Sequence, residues 1–459
     1  MKKYMKTTAC RGSVVLFLLC VIMGCEKFLD DKPNQKLAIP KSLADFQAIL
    51  DDSNIMYNAP AAAEISTDDY YLSDNDWNGL FYINNKRMYT WEKDNLFSTA
   101  EPENDWLLVY RMVFRCNIVL EGLSSLDRAK NDEAQWRNIS GQAYYYRGNF
   151  MMHGAFIWAP AYDAGTTNSD LGLPIRLGTD FNEASKRASV GQTYDQIILD
   201  LKKAASLLPV TPLSKFRPSK PAAYGLLARV YLSMRDYANA KLFADSSLQL
   251  YDKLMDYNLL NPNANFPVLL NNEEVIVNQN LLGRDPLSPQ LAKIRMDIYD
   301  SYKEGDLRKV IFFRKNADGS YRFKGSYTQN KGLFSGIAVN EMLLVRAECN
   351  ARIGLVTAAL DDLNRLIQKR WSKNSVYVPY ETSDRDKVLS FILGERRKEL
   401  LMRGLRWMDV KRLNKEGAGI KFGRLLNGTV FELPANDLRF ALPLPEDVIQ
   451  MSNMEQNPR

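Results

Sequence analysis

Apolar residues recur at helical spacing along most of this chain, and the helical segments come in pairs separated by very short turns. Leu107, Tyr110, Val113, Phe114 and Ile118 mark a helix over Glu103–Leu126, and Glu133–Trp158 follows it. Thr193–Leu208 carries Ile197, Ile198, Leu201 and Ala205 on one face and stops at Pro209, which cannot continue a helix. Ser219–Met234 with Tyr237–Leu250 makes one pair, and Asn340–Ile353 with Thr357–Lys369 another. Arg385–Leu413 closes the helical part. A chain written this way buries its apolar stripes helix against helix, so the predicted fold is mainly α.

Two of the turns share a design. Ala228-Arg-Val-Tyr-Leu-Ser-Met-Arg-Asp-Tyr-Ala-Asn-Ala240 and Arg346-Ala-Glu-Cys-Asn-Ala-Arg-Ile-Gly-Leu-Val-Thr-Ala358 both flank a tight reversal with small residues. Small side chains let antiparallel helices approach closely, and the pattern resembles the tetratricopeptide helix pair. Any helical hairpin would show part of the same pattern. Two segments break the helical text. Residues 64–102 are polar and aromatic, and residues 254–337 hold turn-rich sequence with short strand-like runs such as Glu274-Val-Ile-Val-Asn278. Within the second, Ala317-Asp-Gly-Ser320 between Phe312-Phe-Arg-Lys and Tyr321-Arg-Phe reads as a β-hairpin. Irregular segments this long on a rigid scaffold are where function usually sits.

The N-terminus has its own logic. Lys2, Lys3, Lys6 and Arg11 precede an apolar run of ten residues, Val14–Met23, which is the layout of a secretory signal peptide. A permanent helical span needs roughly 20 apolar residues, so this run is too short to be one. Ile22-Met-Gly-Cys25 resembles a bacterial lipobox, which predicts cleavage after Gly24 and acylation of Cys25. A plain signal peptide with a chance cysteine is the alternative. Acyl chains hold a protein at a membrane because each buried methylene contributes about 0.8 kcal/mol. No later stretch is long and apolar enough to span a bilayer, so the rest is expected to be soluble. Without the leader the 60 Lys and Arg fall to 56 against 54 acidic residues, which removes any argument for nucleic acid. Beyond the leader and Cys25 only Cys116 and Cys349 remain, each read as a buried thiol rather than half of a long-range disulfide. These two and the single histidine, His153, cannot build a Cys/His zinc site, and no metal or other cofactor is implied. His153 sits among Met151, Met152, Phe156 and Ile157 and reads as a packing residue.

A series of segments, in order, then resembles the SusD/RagB family of outer-membrane nutrient-binding lipoproteins. They are Cys25-Glu-Lys-Phe-Leu-Asp-Asp-Lys-Pro33, Asp170-Leu-Gly-Leu-Pro174, Arg187-Ala-Ser-Val190 with Tyr194 and Asp200, and Asn340-Glu-Met-Leu-Leu-Val-Arg-Ala-Glu348. The sharpest is Glu395-Arg-Arg-Lys-Glu-Leu400 followed by Gly404, Arg406-Trp407, Asp409 and Arg412, and Phe440–Pro445 with Gln456-Asn-Pro458 completes the set. Leu413 and Arg403 depart from the family pattern. The resemblance implies a signal peptide at 1–24 and one SusD-like domain at 25–459, a helical scaffold of tetratricopeptide-like pairs carrying an irregular lobe. It also implies a non-catalytic role: capture of an oligosaccharide at the outer surface, anchored through Cys25, and delivery to a SusC-like TonB-dependent β-barrel transporter. By helical spacing, Glu399 is expected to pair with Arg396 and Arg403, and Asp409 to orient Arg406 or Arg412, fixing helix docking rather than doing chemistry.

For the ligand, residues 64–106 supply nine aromatics interleaved with Asp68, Asp69, Asp74, Asn75, Asp76, Asn78 and Asn84. Aromatic planes stack on the C–H faces of sugars while carboxylates and amides bond their hydroxyls. Trp77 and Trp91 are the leading candidates, with Tyr71, Asp76 and Asn78 beside them and Tyr321 and Tyr327 around the predicted hairpin. Packing of the lobe by these aromatics is the competing reading. Three other functions stay open: a relative that binds peptide or another nutrient, a scaffold that binds only protein, and a glycosidase with two carboxylates roughly 5–9 Å apart.

Overall fold

The computed structural model describes residues 40–97 and 104–459. The leader, Cys25 and the segment up to Pro33 therefore lie outside the described residues. Leu43–Arg459 forms one compact unit. Its frame is a run of helices: α1 (Leu43–Leu50), α2 (Asp105–Ser124), α3 (Glu133–Trp158), α4 (Val190–Leu207), α5 (Lys220–Ser233), α6 (Tyr237–Leu250), α7 (Val339–Arg352) and α8 (Val356–Gln368). From α2 to α8 each packs on the next in chain order, and α1 lies across α2 and α3.

The ends are set by capping groups that satisfy otherwise orphaned N–H donors. Asp132 accepts from Gln135 N at the start of α3. Ser189 and Gln192 form a reciprocal capping box that starts α4 at Val190, three residues ahead of the expected Thr193. Between α3 and α4, Arg147 makes a two-pronged bond to Asp200 at 2.7 Å on each prong and also donates to Asn117 of α2. Three consecutive helices are thus clamped by one buried guanidinium.

The two similar turns coincide in detail. In the first, Met234, Arg235 and Asp236 donate from their backbones to Val230, Leu232 and Tyr231; in the second, Ile353, Gly354 and Leu355 donate to Cys349, Ala351 and Asn350. The pivot is left-handed in both, Arg235 at φ 63° and Gly354 at φ 85°. α5–α6 and α7–α8 are therefore copies of one hairpin, in the tetratricopeptide manner. Cys116 and Cys349 are both free and buried, as expected.

The helical stretch over Arg385–Leu413 consists of two helices, α9 (Arg385–Glu399) and α10 (Arg406–Asn414). Met402 at φ 57° and Gly404 at φ 73° turn the chain between them, and Gly404 N donates to the buried Glu64 at 2.9 Å. Glu399 does not pair with Arg396 or Arg403. It takes Arg308 at 3.1 Å and Arg370 at 2.8 Å, both arriving from distant segments. Arg396 goes to Asp409, which also holds Arg412, while Arg406 goes to Asp68. Arg403 lies against the rings of Tyr327 and Phe334. Helical spacing gave the Asp409–Arg412 pair but not the partners of Glu399, because in this buried cluster its cations arrive from distant segments.

The irregular lobe contains a four-stranded sheet in the order β1 (Tyr70–Tyr71), β2 (Lys293–Ile294), β4 (Tyr321–Phe323), β3 (Phe313–Lys315), antiparallel throughout. The expected hairpin is β3–β4. A second hairpin, β5 (Phe422–Leu426) with β6 (Thr429–Leu433), turns at Asn427 and Gly428, both with positive φ.

Candidate functional site

β1 brings Tyr71 to the surface, 37% exposed, directly opposite Lys293. The Lys293 ammonium reaches Asp76 at 2.5 Å. Asp76 is the third residue of a short helix, Asp74–Asn78, and closes a capping box with Ser73. Burial works against ionising Asp76, but the bonds from Lys293 and Ser73 outweigh it and hold the carboxyl below the usual range. The tip of β5–β6 abuts the same helix: the Asn427 and Asn78 amides bond each other at 3.1 Å, and Asn427 N donates to Asp74 at 2.9 Å.

Tyr71 forms one wall of an open cavity of about 420 Å³ whose other walls include Asp68, Arg295, Met296, Asp297 and Arg424. Arg295 and Asp297 bond each other at 2.9 Å. Arg424, on β5, is 8% exposed, donates through Nη2 to the Ile65 and Thr67 carbonyls, and covers the Tyr89 ring at 3.2 Å. Its Nη1 has no hydrogen-bond partner among the described residues. That nitrogen is enclosed, so Arg424 serves here to fix the wall of the cavity, through the Ile65 and Thr67 carbonyls and the Tyr89 ring. Burial raises the Asp68 and Asp297 carboxyls, but Arg406 and Arg397 at Asp68, and Arg295 at Asp297, overcome it and hold both below the ordinary range.

The remaining expected residues fall into three groups. Tyr71, Asp76 and Asn78 lie together at this edge, joined by Trp77, which is half-buried with Lys86 5.6 Å from its ring centre. Tyr321 lies apart, because it pairs with Ile294, the neighbour of Lys293, and so takes the other face of the sheet. There it stacks on Tyr299, ring centres 3.6 Å apart and planes 16° from parallel. Trp91 and Tyr327 are core residues at 1% and 2% exposure. Trp91 donates to the Ser66 carbonyl and Tyr327 to Glu274, so each is fixed by its polar tip with no ring face open to a ligand. Asp68 and Asp69 are occupied as well, holding Arg397 and Arg406 and so docking the lobe onto α9 and α10.

Arg295, Asp297 and Arg424 went unseen in the sequence, as did Tyr299. The one available signal was Asn427-Gly428, a strong turn dipeptide between alternating residues that announces the β5–β6 hairpin carrying Arg424. His153 is buried, with Gln279 at 3.4 Å, and burial together with the Arg229 charge lowers its imidazole to about 3. Among the described residues no group of three or more His, Cys, Asp and Glu could hold a metal ion, and no helix is long and apolar enough to cross a membrane.

Residues 27–232 match a family model described as starch-binding, associating with outer membrane, and residues 308–459 match the model of the SusD family. The chain belongs to the SusD family. It is 24% identical to SusD-like protein P2 of Formosa agariphila over the full length of both chains. A SusD superfamily protein of Bacteroides thetaiotaomicron has the same fold, with a TM-score of 0.70 at 22% identity over 91% of this chain and 100% of that one. So does a laminarin-binding SusD-like protein, with a TM-score of 0.66 at 17% identity over 91% of this chain and 98% of that one. The mainly α scaffold expected from the helical pairs is thus the SusD fold.

Proposed function

We propose that this SusD-family protein is a non-catalytic, lipid-anchored binding protein of the outer membrane that captures oligosaccharide at the Tyr71–Arg424 cavity and delivers it to a TonB-dependent β-barrel partner. The observation that carries the reading is the lining of that cavity. A surface tyrosine offers a flat face, and the exposed Arg295 and Asp297 offer a donor and an acceptor of opposite sign for ring hydroxyls. The same lining argues against hydrolysis. A glycosidase needs one carboxyl kept protonated as the acid, and both carboxylates here, Asp68 and Asp297, are held ionised by arginines. The family description names starch and the outer membrane, and one protein of the same fold binds laminarin; both support a glycan ligand. The leader, the lipobox cysteine at position 25 and the resemblance to SusD/RagB lipoproteins support anchoring and the transporter partner.

Calorimetry with starch and laminarin oligosaccharides tests the reading. The wild type binds at least one of them, and Tyr71→Ala weakens it about ten-fold. Absence of binding across a broad panel of plant, host and microbial glycans contradicts it. In cells, Cys25→Ala releases the protein from membranes, and a variant that stays membrane-bound contradicts the anchor.

A further inference from the structure

The Tyr71–Arg424 cavity has a neighbour at Asp297. A second cavity of about 300 Å³ shares Asp297 with it and is also lined by Ile298, Ser301, Tyr380, Glu395 and Lys398. A third, of about 410 Å³, shares Tyr380, Glu395 and Lys398 with the second and extends to Trp371, Tyr377, Lys303 and Glu304. Each volume is at the small end of the range for ligand clefts, about 300–1,000 Å³, so one occupant filling all three is longer than any single cavity accommodates.

The far end is furnished much like the near one. Trp371, Tyr377 and Tyr380 are half-buried, and each polar tip is already spent: the Trp371 indole on the Val376 carbonyl at 3.1 Å, the Tyr377 hydroxyl on Asn364 at 2.8 Å, and the Tyr380 hydroxyl on Glu395 at 2.7 Å. Rings anchored at their tips are rigid, and rigid rings bind at small entropic cost. Between them stand Lys303 and Glu304, both exposed and neither holding an ion pair or a side-chain hydrogen bond among the described residues. Lys303 lies 5.7 Å from the Tyr380 ring centre. Rings beside an exposed ammonium and an exposed carboxylate are again a combination that suits hydroxylated rings.

We propose that these three linked cavities form one extended groove, and that its far stretch at Trp371–Tyr380 is a second binding region for the same oligosaccharide chain. The inference rests on the glycan reading of the Tyr71 cavity. It assigns the ligand a minimum length: a chain long enough to pass Asp297 and reach Tyr380 gains contacts that a short one lacks.

Chain length separates the two claims. The full protein is titrated calorimetrically with trisaccharides and octasaccharides prepared from starch and from laminarin. The octasaccharide of the preferred glycan binds the wild type about ten-fold more tightly than its trisaccharide. Lys303→Ala, Glu304→Ala and Tyr380→Ala lower the octasaccharide affinity several-fold and leave the trisaccharide unchanged, whereas Tyr71→Ala weakens both. Lys303 and Glu304 are exposed, so their variants keep the test valid even if Tyr380→Ala unfolds. Equal affinity for the two lengths, or far-end variants that bind the octasaccharide as the wild type does, overturns the second region while the Tyr71 cavity stands. Absence of binding by either glycan at either length overturns the extended groove together with the starch and laminarin reading on which it rests.

Discussion

Replacing Arg370 by methionine tests how the irregular lobe is held on its scaffold. Arg370 follows α8 and is fully buried. It donates to Glu399 of α9 at 2.8 Å, to Glu274 of the lobe at 2.6 Å and to the Met255 carbonyl at 2.8 Å, and it covers the Tyr257 ring at 4.1 Å. Methionine fills much of the space but removes the charge. Glu399 keeps Arg308 and Asn340, whereas Glu274 keeps only the Tyr327 hydroxyl and the Met255 N–H and loses its cation. A buried charge left without its partner costs about 3–5 kcal/mol. Unfolding entropy near 2.1 cal/mol/K per residue gives about 0.9 kcal/mol/K for a unit of this size, so the midpoint falls by roughly 3–6 °C in scanning calorimetry. The deficit also depends on pH. Burial already raises the Glu274 carboxyl and Arg370 opposes that rise, so the variant raises it further. A carboxyl whose folded value lies above its unfolded value stabilises below the unfolded value and loses that contribution as pH rises through the folded one. The Arg370→Met deficit is therefore smaller at pH 5 than at pH 8, and Glu274→Gln in that background recovers part of it. A midpoint within 1 °C of the wild type, or a deficit that does not change with pH, refutes the reasoning.

Three further outcomes follow from single residues. Glu64 is buried with Oε1 unpartnered, and burial followed by the Asp69 charge raises it to about 8; stability therefore declines between its unfolded value near 4.3 and pH 8, and Glu64→Gln matches the wild type near pH 4 but unfolds at higher temperature at pH 9, parallel curves being the contrary result. His153, the single histidine, stays neutral while its unfolded counterpart protonates, so its one imidazole NMR signal does not move between pH 7 and pH 5; a midpoint near 6.5 contradicts its burial. At Gly354 a Cβ would meet nothing within 4 Å, so Gly354→Ala costs only the left-handed backbone strain, about 1–2 kcal/mol, measurable in urea unfolding.

The helices were legible because burial of a face imposes a period on the residues themselves, as Ile197, Leu201 and Ala205 show on α4. The break between α9 and α10 was not, since it is made by Met402 in a left-handed conformation that no residue preference announces. In the lobe the aromatics carry no period, so Trp91 at the core and Tyr71 at the surface look alike in the sequence. The buried ion pairs were misread for a similar reason: Arg308 and Arg370 reach Glu399 through the fold rather than along a helix. The cavity was only half visible. Asp68 and Tyr71 are close in sequence, but Arg295, Asp297 and Arg424 join them through β2 and β5, whose positions are set by strand pairing.

A crystal structure of the protein soaked with the best-binding oligosaccharide addresses the ligand site directly. A sugar ring lying against Tyr71, with hydroxyls within hydrogen-bond distance of Asp297 or Arg295, is the predicted result. Clear sugar density elsewhere on the surface, with the Tyr71 cavity filled only by water, contradicts the assignment.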